Sequence, residues 1–228
     1  QAFTYDGYGN LTQKSSSNAP ALSIAVDPLT NHIQSSSTYD ADGNMTGYSG
    51  ASYSYDIENR MVQANPSSGG TVVYGYDTID RRVYKGADNG GVYSAEELYF
   101  YGAEGHKFGT WQVNPSSGVL LQASVTKQWF GDRLVSPQDR LDSRGRYFPF
   151  GEERTNISPA NPPNDREKFA SYTRDSATAL DYANQRYYDS LIGRFMQPDR
   201  YSGSADSSVP QTWNRYEYVG NDPINAND

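Results

Sequence analysis

An all-β chain of stacked antiparallel hairpins, forming a curved open sheet, is the fold class this sequence predicts. Three observations predict it. The apolar content is carried by aromatic side chains: hydrophobic residues are only 36% of the chain, yet they include 20 Tyr, 8 Phe and 3 Trp. Tyrosine buries a large ring and keeps a hydroxyl that must find a partner, and aromatic residues suit the half-buried surface of a sheet. Short stretches such as Tyr53-Ser54-Tyr55 alternate aromatic and polar, which is strand period. A phrase built on Tyr-Asp also recurs along the N-terminal half.

The recurring phrase appears first as Tyr5-Asp6-Gly7-Tyr8-Gly9-Asn10-Leu11 and again as Tyr39-Asp40-Ala41-Asp42-Gly43-Asn44-Met45. Tyr55-Asp56-Ile57-Glu58-Asn59-Arg60-Met61 and Tyr76-Asp77-Thr78-Ile79-Asp80-Arg81-Arg82 follow, with a worn fifth copy at Tyr101-Gly102-Ala103-Glu104-Gly105-His106-Lys107. In each, an alternating strand leads into a tight turn. Asp bonds back to the backbone, and Gly or Asn accepts a left-handed conformation. A second alternating strand leads out. One hairpin alone is marginal in water, so the copies must pair edges and bury a common face.

Loop compositions separate the copies: Ser15-Ser16-Ser17-Asn18-Ala19-Pro20, Asn65-Pro66-Ser67-Ser68-Gly69-Gly70 and Asn114-Pro115-Ser116-Ser117-Gly118. The last two read as hairpin tips. Strand alternation continues through 119–153, and Ser158–Asn164 is a Pro-rich loop. Ala177, Ala179 and Leu180 favour a short helical turn within 176–189.

The densest apolar stretch runs Asp181-Tyr182-Ala183-Asn184-Gln185-Arg186-Tyr187-Tyr188-Asp189-Ser190-Leu191-Ile192-Gly193-Arg194-Phe195-Met196-Gln197-Pro198-Asp199-Arg200. It resembles the core signature of the Rhs (rearrangement hotspot, or YD-repeat) family, roughly D-Y-x-x-A-R-Y-Y-x-x-x-x-G-R-F-x-x-x-D-P. Asp181, Tyr182, Arg186, Tyr187, Tyr188, Gly193, Arg194, Phe195 and Asp199 match, and Arg200 stands where the family has Pro. Phe148-Pro149-Phe150-Gly151-Glu152, Lys168–Asp175 and Trp213–Asp228 resemble further phrases of the same family, and the Tyr-Asp hairpins resemble its repeat. The resemblance implies a YD-repeat array over 1–153 and the repeat-associated core over 154–228. Arg186, Tyr187, Tyr188, Arg194 and Phe195 are expected to be buried, with the guanidinium groups paired.

The resemblance also implies function. The parent would be a secreted or cell-surface shell that encloses and delivers a C-terminal effector, with this chain as a scaffold piece cut from it. In larger family members the core acts as an aspartyl autoprotease, and Asp199 and Asp228 fall on its two aspartates. Two carboxylates held close share a proton, so one serves as acid and the other as base. No P-x-G-L follows Asp228 in this sequence.

The bulk properties narrow the alternatives. A net charge of −8 disfavours a nucleic-acid partner, because phosphate contacts need clustered Lys and Arg. There are no cysteines, hence no disulfide framework and no thiolate site. No run approaches the roughly 18 apolar residues of a membrane span. No cofactor motif is present. Asp40-Ala41-Asp42-Gly43 offers hard oxygens for calcium but lacks the closing Glu of a full loop, so a turn explains it. His32 and His106 are isolated in sequence, as structural histidines are, while His106 near Tyr99, Tyr101 and Glu104 offers a Tyr/His pair for abstracting a sugar C5 proton. Glu96-Glu97 and Glu152-Glu153 are adjacent, and neighbours on a strand face opposite ways, so neither pair is a glycosidase dyad by itself. Tyr39, Tyr53, Tyr55, Tyr74, Tyr76, Tyr99 and Tyr101 read as cross-strand packing. Exposed on one face, the same rings would stack on sugars, which makes a polysaccharide-binding or polysaccharide-degrading module the rival reading.

Overall fold

The computed structural model describes residues 1–88, 93–113, 117, 120–122, 129–130, 133–134, 146–154, 167–201, 206 and 208–226. The chain forms two compact units, one of residues 1–50 with 142–228 and one of 51–141. In the first, β1 (Ala2–Tyr5), β2 (Leu11–Ser15) and β3 (Leu22–Ser23) make an antiparallel sheet, and β4 (Ser37–Tyr39) pairs with β5 (Met45–Tyr48). The second unit is an up-and-down meander. Its strands are β6 (Ala51–Tyr55), β7 (Met61–Asn65), β8 (Thr71–Tyr76), β9 (Arg82–Asp88), β10 (Tyr93–Tyr101), β11 (Lys107–Val113) and β12 (Leu120–Gln122), each antiparallel to the next. A separate hairpin joins β13 (Trp129–Phe130) to β14 (Arg133–Leu134). The C-terminal part of the first unit adds the sheet β15 (Thr173–Arg174), β16 (Asp181–Ala183), β17 (Arg186–Asp189) and β18 (Arg194–Phe195).

Every Tyr-Asp phrase makes the same turn. The amides of Asp6, Asp40, Asp56 and Asp77 donate to the carbonyls of Asn10, Asn44, Arg60 and Arg81, and the residue three after each Asp donates back to its carbonyl. That residue is left-handed in each copy: Gly9, Gly43, Asn59 and Asp80 have φ of 74°, 85°, 56° and 66°. The Asp Oδ1 accepts the amides two and four residues on, while strand register slips by one at the preceding Tyr. This is the three-residue hairpin loop closed by a bulge. The worn copy at Gly102–His106 keeps the backbone bonds without the Asp. The tip at Pro66–Gly69 joins β7 to β8 as its composition predicts.

The same backbone turn recurs where no Tyr-Asp marks it, at Phe148–Glu152 and Lys168–Tyr172. A one-residue-longer Asp turn appears at Asp27, Asp175 and Asp189, with Asn31, Ala179 and Gly193 left-handed. The helical turn expected within 176–189 is not formed: 175–180 is that Asp turn, and β16 and β17 occupy 181–189. Ala177 and Ala179 have weak local preference, and pairing of Asp181 and Tyr182 with neighbouring strands outweighs it.

The core of the first unit is aromatic. Tyr172, Tyr188, Phe195 and Tyr218 pack together with Phe169 against them, ring centroids 5.0–6.4 Å apart. Tyr187, Tyr188, Arg194 and Phe195 are buried as expected. Arg186 is only half-buried, its guanidinium lying 3.7 Å from the centre of the Phe195 ring, so it covers the core from outside.

Candidate functional site

Asp199 follows β18 at the edge of this core and is half-buried. Its amide donates to the Arg215 carbonyl at 2.8 Å, and its Oδ1 accepts the Tyr201 amide at 2.8 Å. The approach to it is held on both sides: Phe195 donates to the Tyr216 carbonyl, Met196 to that of Tyr187, and Met45 to that of Met196. Arg200 is exposed, and it forms no ion pair with Asp199 among the described residues. Asp228, the other half of the expected dyad, lies outside the described residues.

Beside this segment is a cluster that sequence reasoning missed. The Tyr216 hydroxyl donates to the Gly43 carbonyl at 2.6 Å and lies 2.9 Å from His32 Nε2. A phenol has one proton, so His32 Nε2 carries the hydrogen of the second contact. The His32 ring stacks on Tyr39 at 3.8 Å, and the Tyr39 hydroxyl accepts the Ile33 amide. The Arg194 guanidinium sits 4.8 Å from the Tyr216 ring centre and donates to the Asn31 carbonyl at 2.7 Å. Burial, then Arg194, lowers the His32 pKa and keeps the ring neutral, while burial raises that of Tyr216 above the phenol range. Gly43 is required here: a β-carbon would stand 2.8 Å from the Tyr216 hydroxyl, at a left-handed φ of 85°. His32 and Tyr216 are 184 residues apart, so no local spacing announces the pair.

Of the adjacent glutamates, Glu152 and Glu153 are committed to ion pairs. Glu152 is buried against Lys14, whose Nζ also donates to the Ser190 carbonyl. Glu153 accepts Lys168 at 2.6 Å and Arg174 at 3.2 Å. Arg174 grips Asp181 with two nitrogens, at 2.9 and 2.6 Å. Burial pushes Asp181 up to about 6 although Arg174 pulls it down. Burial and then Glu153 push Tyr147 up to about 12.

The tyrosine ladder divides. Tyr53, Tyr74 and Tyr99 are buried, with the Arg82 guanidinium 5.3 Å from the Tyr74 ring centre and 4.8 Å from that of Tyr99. Glu97 accepts the Tyr99 hydroxyl at 2.8 Å. Tyr76 and Tyr101 are half-buried and carry the guanidinium groups of Arg60 and Arg81 on their faces. Among the described residues the exposed aromatics of the second unit lie elsewhere: Phe100 and Phe108, 43% and 47% exposed, flank Trp111 with centroids 4.8 and 6.0 Å away. At Asp40 both carboxylate oxygens are taken by turn amides and the Asn44 side chain, as the turn reading requires.

No protein-family profile matches the chain. It is 25% identical to a tRNA3(Ser)-specific nuclease WapA of Bacillus spizizenii, over 97% of this chain and 10% of the relative. It is 24% identical to Teneurin-1 of Gallus gallus, over 97% of this chain and 9% of that protein. Among solved structures it superposes on the TcdB2-TccC3-Cdc42 crystal structure with a TM-score of 0.61 at 18% identity. The Tc holotoxin pore of Photorhabdus luminescens gives 0.59 at 18%. Each superposition covers 100% of this chain and 13% of the other. The chain thus spans about a tenth of the length of the proteins it resembles. The all-β, open-sheet architecture is shared with these toxin structures, and the likenesses support the Rhs/YD-repeat resemblance in its broad form. The tRNA nuclease activity is named for the whole WapA proteins.

Proposed function

We propose that this chain is a scaffold segment of an Rhs-type shell whose parent encloses and delivers a C-terminal effector from a secreted or cell-surface protein. The observation that carries this reading is the repeated Asp turn. One backbone solution, reused at each of the four Tyr-Asp hairpins, builds a wall that grows by adding copies, and the likeness to toxin structures runs along the whole chain. The test is protease protection of the parent chain. A C-terminal segment that resists digestion until the shell is unfolded supports enclosure; one cut at once in the folded protein refutes it.

Autoprocessing by Asp199 with Asp228 belongs to the same proposal. What supports it is the restraint on Asp199: a backbone bond fixes its position, and the carboxylate is not consumed by an ion pair with Arg200. Mass spectrometry of a chain extended through Pro-x-Gly-Leu should show self-cleavage, abolished by Asp199→Asn with the fold intact. A variant that still cleaves removes Asp199 from the mechanism.

One observation favours polysaccharide binding as a second reading: the exposed rings of Phe100 and Phe108, packed on the half-buried Trp111. Affinity electrophoresis against a polysaccharide panel should then show retardation that Trp111→Ala removes.

A further inference from the structure

We propose that Glu217 is the proton-operated pin of a clasp tying the first hairpin to the C-terminal turn, tight when its carboxyl is neutral and loosened when it ionises. The clasp is built from three side chains. The Asn221 side-chain amide donates one hydrogen to the Gly9 carbonyl in the tip of the β1–β2 hairpin and the other to Glu217 Oε2 at 3.1 Å. The Tyr5 hydroxyl, from the same hairpin, donates to the Asn221 carbonyl at 3.1 Å. The Glu217 backbone is bridged to Arg194, and its side chain lines a small pocket of mixed character with Asn10, Leu11, Ile192, Arg194 and Asn214.

Among the described residues no cation pairs with this carboxyl, although Arg194 lines the same pocket. The charged side chains on the surrounding elements are Asp6, Arg194, Arg215 and Asp222, with Lys14 of β2 held by Glu152 and Asp189 of the 189–193 turn accepting the Leu191 amide. Asp6 is bound by the amides of Tyr8 and Asn10 and by the Asn10 side chain. Arg194 donates to the Asn31 carbonyl, and Asp222 accepts from Asn225. Among the described residues none of these forms an ion pair with Glu217. A half-buried carboxylate with one amide donor and no counter-charge must recruit water when it ionises, and water enters by parting the hairpin from the turn. Burial accordingly pushes Glu217 up to about 7, against the pull of Asn221.

The inference stands on this chain alone and does not need the shell reading. Hydrogen exchange of the whole chain, at about pH 5.5 and about pH 8.5 and corrected for intrinsic exchange, reads the clasp directly. Amides of 2–15 and 216–222 should lose roughly three- to tenfold of their protection at the higher pH, while 61–76 change little. Glu217→Gln, neutral at every pH, should keep the low-pH protection throughout. Equal protection at both pH values in the unaltered chain would falsify the clasp, as would a Glu217→Gln variant with the same pH response. A carboxyl carbon-13 titration of the unaltered chain decides the matter without a variant: a Glu217 midpoint in the ordinary glutamate range overturns the proposal.

Discussion

Four hairpin tips share one Asp turn and differ in the residue that closes it. In the first unit the closing residues are Asn10 and Asn44, each almost wholly buried. In the second they are Arg60 and Arg81, part-exposed on the turn rim. Both types reach back to the Asp Oδ2, through an amide nitrogen in one case and a guanidinium in the other. The difference lies in what else the tip meets. Asn10 is knitted by its side chain to Asn31 and Asn214, a neutral network that a core can hold. Arg60 also pairs with Asp80 of the next tip and lies over Tyr76, contacts that tolerate water. The turn is set by Asp and by the left-handed residue; the fifth position says whether the tip is packed away or faces solvent.

Exchanging the closing residues tests this most severely. Asn10→Arg breaks the Asn31–Asn214 network and buries a charge that only Asp6 and the pocket-lining Glu217 could meet, and should cost about 3–5 kcal/mol in urea unfolding. The opposite exchange, Arg60→Asn, should cost less, about 1–2 kcal/mol, because Arg60 and its partners stay part-exposed on the rim and water can replace the lost bonds. Comparable losses in the two variants would erase the distinction. Next in size, Asp181→Asn strips the buried Arg174 of its two-pronged partner and should cost about 3 kcal/mol. An unchanged unfolding midpoint would mean that Glu153 alone suffices.

Acid should separate the units by sign. Burial raises Asp181 from 3.8 to about 6 and Glu217 from 4.5 to about 7, so the folded first unit binds these protons more tightly than the unfolded chain does. Their contribution is full below the unfolded values and is lost as pH rises through the folded ones. His32, held low by burial and Arg194, acts oppositely and removes stability below about 6.5. In the second unit, burial would raise Asp56 and Asp77, but hydrogen bonds from Arg60 and Arg81 outweigh it and lower both. That contribution is present above 3.8 and lost as pH falls. Residue-resolved hydrogen exchange should therefore show 181–183 and 216–222 gaining protection as pH falls from about 8 to about 5, and the tips at Asp56 and Asp77 losing it only below about 4; the opposite signs would contradict this. The smallest effect concerns Tyr76→Phe, which removes the bond to the Met61 carbonyl and should cost about 1 kcal/mol.

What could be read from the sequence was whatever the chain writes locally. Asp and Gly sit three residues apart in the first two tips, so the hairpins and the buried aromatic core were legible. The turns at Phe148–Glu152 and Lys168–Tyr172 were not, because they lack the Asp. The second even holds Ser171 left-handed at φ 64°, which tertiary packing imposes and no propensity announces. The pairs His32–Tyr216 and Lys14–Glu152 were hidden for another reason: their members meet only after distant segments have docked. The helical turn expected near Ala179 failed because strand pairing outweighed a weak local preference.

The tyrosine hydroxyls give the array a direction in time. Tyr76 donates to Met61 of the preceding hairpin, and Tyr101 to Arg82. In both bonds the donor belongs to the later hairpin. During synthesis each hairpin therefore leaves the ribosome before its latch exists, and the newest one stays unlocked until its successor arrives. Truncation is unequal for the same reason. Removing a later hairpin strands a carbonyl that water can satisfy, whereas removing an earlier one leaves a tyrosine without the edge it was shaped to close.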